Sequence, residues 1–245
     1  MQQASAESAR QSAVVFARSV ADAWDSRLGV RLLGVHLIGS LAHGGFGVRY
    51  SDIDMAVVAK DPLVPSDLKG MHEDAAAVSA EHANKLSLFW TDHGFTVGRF
   101  PPLDRLDYLD HAVRLIEREA VRPDRPSLGE IRAYLRGAPF ERWADKARQF
   151  SAAATLDADE RKPYLRALLY PARFIYSWST GTIASNDDAV AFLRESATAD
   201  LALNLIEETL RCRRDGRDPD YLFPERRTLI PHVAVCARLI AAEPA

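Results

Sequence analysis

Two apolar runs of strand length, separated by a short glycine-rich segment, constrain this chain more than any other feature. Residues 31–38 (RLLGVHLI) end in Gly39-Ser40, and residues 52–59 (DIDMAVVA) open with two carboxylates around one isoleucine. Runs with so few polar residues predict strands covered on both faces. Gly44, Gly45 and Gly47 fill the stretch between them and predict a loop, or a short helix and then a loop.

The chemistry of this segment follows from its geometry. Residues i and i+2 of a strand share a face, so Asp52 and Asp54 project side by side. Two neighbouring carboxylates repel unless a cation sits with them, and Mg²⁺ commonly binds one or two carboxylates together with substrate phosphates. Gly39 lets the backbone turn sharply and approach a ligand closely. If Ser40 opens a helix, its first N–H groups and the serine hydroxyl suit a phosphate. Either half alone is a common turn or strand entry; their order, spacing and strand context point to a phosphorylated substrate and a divalent ion.

The segment GSLAHGGFGVRYSDIDMAVV, residues 39–58, resembles the signature of the nucleotidyltransferase superfamily that includes DNA polymerase beta and the antibiotic nucleotidyltransferases. The resemblance implies that Gly39 and Ser40 bind the nucleotide triphosphate, with ATP as donor. It also implies that Asp52 and Asp54 are catalytic and hold Mg²⁺. The superfamily normally adds a third acidic residue on a neighbouring strand. Asp92, at the end of LSLFWTD, is the candidate for that catalytic role; the same residue also reads as a turn former before His93-Gly94.

Hydrophobic period lays out the rest. Ala13, Phe16, Val20 and Trp24 mark a first amphipathic helix. A helix is predicted over 66–84, then strands over 86–91 and 95–100 joined by Asp92-His93-Gly94. Residues 121–127 (VRPDRPS) break the chain, and helical period dominates beyond them: 128–136, 140–150, 159–180, a start at Ser185 before 189–193, 201–214 and 226–242. The expected fold class is α+β. A mixed sheet of nucleotidyltransferase type with flanking helices (1–122) precedes an all-helical C-terminal domain (123–245). Residues 171–190 (PARFIYSWSTGTIASNDDAV) resemble the helix and turn of the streptomycin and spectinomycin adenylyltransferases through Arg173, Thr180, Gly181, Ser185 and Asp187. That resemblance implies that Arg173 contacts the nucleotide phosphates. Thr182 stands where those enzymes usually carry lysine.

Composition narrows the partners. The net charge is −3, and the basic cluster at 211–217 is interrupted by Asp215 and followed by Asp218 and Asp220. This opposes binding of a long nucleic acid and favours a small acceptor. No apolar run approaches the roughly 20 residues of a membrane helix, and the start lacks a secretion pattern, so no membrane partner and a cytoplasmic address are expected. Cys212 and Cys236 show no metal-ligand spacing. Asp104, Asp107 and Asp110 fall at helical steps, as a solvated face or as an attraction for a cationic acceptor such as an aminoglycoside. Trp90, Trp143 and Trp178 read as core before cleft, and His36 as a satisfied core residue.

The function expected from motif and resemblance together is Mg²⁺-dependent transfer of AMP from ATP to a hydroxyl of a small molecule, releasing pyrophosphate. Two alternatives stay open: a nucleotidyltransferase acting on a protein hydroxyl, and a catalytically silent nucleotide-binding sensor.

Overall fold

The structure, a computed structural model, describes residues 2–196 and 200–242, with side chains from residue 7 onward. The chain divides into two compact units, Met1–Pro126 and Ser127–Ala245. The first is mixed α and β and the second is helical, which is the α+β arrangement expected.

In the first unit, α1 (Gln2–Leu28) leads into β1 (Leu32–Ile38), α2 (Ser40–His43) and β2 (Ile53–Ala59). Next come α3 (Pro65–Val78), α4 (Ala80–Ala83), β3 (Leu86–Asp92), α5 (Pro102–His111) and β4 (Val113–Glu117). The sheet order is β3-β2-β1-β4, with β1 antiparallel to both β2 and β4, and β2 parallel to β3. Every side chain of β1 is buried, as a run apolar on both faces requires. One face of the sheet packs Val35, Leu37, Ile53, Met55 and Val57 against Phe16, Val20 and Trp24 of α1 and Met71 of α3. Trp24 Nε1 also donates to the Met71 carbonyl at 2.9 Å. The opposite face packs Leu33, Ile38, Ala56, Val58 and Phe89 against Tyr108 of α5 and Val121.

Three expectations change here. The helix foreseen over 66–84 is interrupted at Ser79, whose backbone is extended and whose hydroxyl accepts the His82 N–H to start α4. Residues 95–100 form no strand: the contact there is a single bridge between Thr91 and Gly98. Asp92 curls the chain instead, accepting the Thr96 N–H at 2.7 Å and the Thr96 hydroxyl at 2.6 Å. The fourth strand is β4, which the hydrophobic period did not announce.

The second unit comprises α6 (Leu128–Arg136), α7 (Ala138–Ala152), α8 (Arg161–Thr180), α9 (Asn186–Glu195), α10 (Leu203–Asp215) and α11 (Leu229–Ala241). A run of 3-10 turns over Pro219–Thr228 precedes α11. Helix α8 carries the core, with Tyr164, Leu165, Leu168, Phe174 and Trp178 all buried. Ser127 opens α6 with a capping box, accepting the Glu130 N–H while the Glu130 carboxylate accepts the Ser127 N–H. Trp143 donates to the Ala167 carbonyl at 2.9 Å and is buried with Trp178, so both are core residues. Among the described residues no helix is long and apolar enough to cross a membrane.

Candidate active site

Strand β1 delivers Gly39 to the same end of the sheet at which β2 begins, because the antiparallel register sets Ile38 opposite Asp54. Gly39 adopts φ +67°, a region that side chains rarely enter, and caps the start of α2. Its carbonyl accepts the N–H groups of Ala42 and His43, both at 3.0 Å. The glycine is also required sterically: a Cβ there would overlap the Asp54 carboxylate. The turn and the second aspartate of the pair are therefore in direct contact.

The glycine-rich loop closes on itself before it reaches the carboxylates. Gly47 donates its N–H to the Ser51 hydroxyl at 2.9 Å, and the Gly47 carbonyl accepts the Ser51 N–H at 2.8 Å. Ser51 is buried, so the loop arrives at Asp52 from a fixed point. Lys85, just before β3, fastens the same region: its ammonium donates to the Val48 carbonyl at 2.9 Å and its own carbonyl accepts the Ile53 N–H at 2.8 Å. Asp52 and Asp54 alternate about the fully buried Ile53 and are both half-buried.

Asp92 does not join this pair. In the parallel register of β2 and β3, Asp54 pairs with Ser87 and Ala59 pairs with Asp92. Five residues at roughly 3.3 Å each place Asp92 about 16 Å along the strand from the Asp54 level. Its carboxylate is held below the usual range first by the Thr96 hydroxyl and then by the Thr96 and Val97 N–H groups, so it works as a turn former. The neighbouring strand offers Ser87 beside Asp54, where the resemblance implied an acid.

A carboxylate missed as part of the site lies on α5. Asp107 is 7% exposed, and its Oδ2 accepts the Gly39 N–H at 2.6 Å across 68 residues of sequence. Asp110 pairs with Arg125. The acidic stripe of α5 is therefore no plain solvated face, since one of its members faces the turn. The signal available in sequence was its spacing of three, which reads equally as a surface.

His36 is buried on the same sheet face, but as a core residue it is incompletely satisfied. Its ring meets Tyr108 edge-on at 4.9 Å between centroids, its Nε2 lies 3.8 Å from the Glu117 carboxylate, and its Nδ1 has no hydrogen-bond partner among the described residues. Burial lowers its pKa against the opposing pull of Glu117. A bulge between β1 and β4 brings Arg114 and Glu117, an odd number of residues apart, to the His36 side. A cavity of 340 Å³ opens there, lined by His36, Tyr108, Arg114, Glu117 and Arg122 among others.

In the second unit Arg173 is exposed on α8 and has no carboxylate partner among the described residues. Thr180 donates its hydroxyl back to the Tyr176 carbonyl, Gly181 ends the helix at φ +69°, and Ser185 caps α9 by accepting the Asp188 N–H. Asp187 pairs with Arg214. Thr180, Gly181, Ser185 and Asp187 thus shape the passage from α8 to α9.

Two hard oxygen donors at one strand end fit a cation that takes its remaining ligands from water and phosphate. Among the described residues no group of three or more His, Cys, Asp or Glu side chains assembles a complete metal site.

No protein-family model and no curated protein sequence matches the chain. Among solved structures the chain is similar to spectinomycin adenyltransferase AAD(9) from Enterococcus faecialis, crystallised with ATP and spectinomycin. The identity is 15%, the TM-score is 0.60, and the match covers 87% of this chain and 94% of that one. The chain thus shares the fold of an adenyltransferase.

Proposed function

We propose that this chain transfers AMP from ATP to a hydroxyl of a small molecule, releasing pyrophosphate. The observation that carries the reading is the contact between Gly39 and Asp54, which joins a phosphate-type turn to a metal-type carboxylate pair at one end of the sheet. The shared fold with a spectinomycin adenyltransferase supports it and favours an antibiotic-like acceptor over a polymer or a protein.

In this reading Ser40 offers its hydroxyl and backbone N–H to the triphosphate, while Gly39 lets the backbone lie close to it. Asp52 and Asp54 would hold Mg²⁺, which when bound neutralises phosphate charge and stabilises the leaving oxygen. The acceptor oxygen attacks the α-phosphorus as the bond to the β-phosphate oxygen breaks. The hydroxyl proton passes to a carboxylate at this end of the sheet, a role that Asp92 does not fill from the far end of β3. For Arg173 the resemblance of residues 171–190 implies a contact with the nucleotide phosphates.

The test is pyrophosphate release from ATP and Mg²⁺ with a panel of hydroxyl acceptors that includes spectinomycin and streptomycin. Asp52→Asn and Asp54→Asn should each abolish release, about a hundredfold or more, with far-UV circular dichroism unchanged. Activity at the wild-type level in either variant would overturn the mechanism.

One observation favours a second reading, a nucleotide-binding sensor without catalysis: Ser87 rather than an acid stands beside Asp54. Calorimetry that finds tight ATP binding, with no release from any acceptor, selects the sensor.

A further inference from the structure

Gly39 touches two carboxylates from different parts of the chain. Asp54 packs against its Cα, and Asp107 of α5 takes its N–H at 2.6 Å. With its carbonyl engaged by Ala42 and His43, every backbone polar group of Gly39 is used inside the fold. Gly39 therefore has no N–H to offer a phosphate, and its contribution to the site is shape. What fixes that shape is the pair of contacts on either side of it.

The Asp107 contact has the character of a designed tether. A carboxyl group that is 7% exposed is costly unless hydrogen-bonded, and the 2.6 Å contact with the Gly39 N–H meets that need at Oδ2. The next residue, Tyr108, is anchored in the core of the same sheet face and donates its hydroxyl to the Val121 carbonyl at 3.1 Å. Helix α5 is thereby a fixed post, and the turn leans on it.

We propose that Asp107 is a positioning residue for nucleotide binding: through the Gly39 N–H it holds the turn in the single orientation that presents Ser40 to the triphosphate beside Asp54. The proposal rests on the nucleotidyltransferase reading above. It assigns Asp107 no contact with metal or acceptor. An untethered turn would have to be ordered by the nucleotide itself, and affinity would fall.

The experiment is calorimetric titration of the full chain with ATP, with and without MgCl₂, on wild type, Asp107→Ala and Asp107→Asn. Thermal melts are taken alongside. Asparagine keeps an oxygen that can accept the Gly39 N–H, whereas alanine does not. D107A should bind ATP about tenfold more weakly both with and without Mg²⁺, and D107N should stay within about threefold of wild type. Wild-type affinity in a folded D107A would overturn the proposal. So would a tenfold loss in D107N, which would show that charge matters rather than the tether; that result is decisive even if D107A does not fold. A loss seen only when Mg²⁺ is present would also overturn it, by placing Asp107 at the metal. Failure of the wild type to bind ATP under any condition would reject the functional reading itself, an outcome distinct from equal binding by all three proteins.

Discussion

The carboxylate of Asp54 occupies the space that a side chain on Gly39 would need. Position 39 is thus closed to every residue but glycine on two counts, the overlap with Asp54 and a backbone φ of +67°.

Gly39→Ala should therefore act on both counts. A non-glycine residue in this region of backbone space costs roughly 1–3 kcal/mol, and relief requires moving either the turn or Asp54. The expected result is a melting temperature several degrees lower and a loss of Mg²⁺-dependent ATP binding of tenfold or more. Wild-type binding in a G39A protein of unchanged stability would contradict the close contact.

Asp92→Ala separates a turn former from a catalytic acid. The substitution removes two short hydrogen bonds from Thr96, worth roughly 1–2 kcal/mol together in a half-exposed turn. Stability should drop by that amount, while pyrophosphate release stays within about threefold of wild type. A hundredfold fall in turnover with an unchanged melting temperature would return Asp92 to the reaction.

Acid sensitivity has an identifiable contributor in the second unit. His232 is fully buried in α11, its Nε2 accepts the Ala202 N–H at 3.2 Å, and burial lowers its pKa from 6.5 to about 4. The unfolded chain binds this proton more readily than the folded one. The stability contribution is therefore complete above pH 6.5 and is lost as pH falls toward 4, by about 3 kcal/mol on the order of 1.4 kcal/mol per pH unit. His232→Gln keeps an acceptor for Ala202 and has no such titration. Melting temperatures measured between pH 7 and 4 should fall less steeply in H232Q than in the wild type. Parallel slopes would show that other groups carry the acid sensitivity.

Arg173 is exposed and lacks a carboxylate partner among the described residues, so its loss should cost the fold little. Arg173→Ala is expected to leave stability within about 0.5 kcal/mol and to weaken ATP binding by about tenfold. Unaltered ATP affinity would reject the phosphate contact that the resemblance of residues 171–190 implies for Arg173.

The parts legible in the sequence were those whose local chemistry and tertiary role agree. Strands β1 and β2 announce themselves because both their faces are buried, and Ser185 marks a helix start because its hydroxyl does cap. Strand β4 stayed hidden: it is five residues long, most of its side chains are at least partly exposed, and it carries Arg114 and Glu117. The direction of β3 was equally invisible, since strand propensity carries no orientation. A hairpin of 86–91 with 95–100 is the natural local guess, yet β3 pairs in parallel with β2, and this moves Asp92 away from the motif. Asp107 escaped for a different reason. Helical spacing shows that three aspartates share a face but not that one of them meets a glycine 68 residues earlier.

The parallel pairing of β2 with β3 also decides what surrounds the carboxylate pair. Because both strands begin at the same end of the sheet, the crossover through α3 and α4 leaves α4 by Asn84 and Lys85 and arrives at the level of the carboxylate pair. Side-chain substitutions at residues 84 and 85 would alter the approach to this end of the sheet and leave both strands intact.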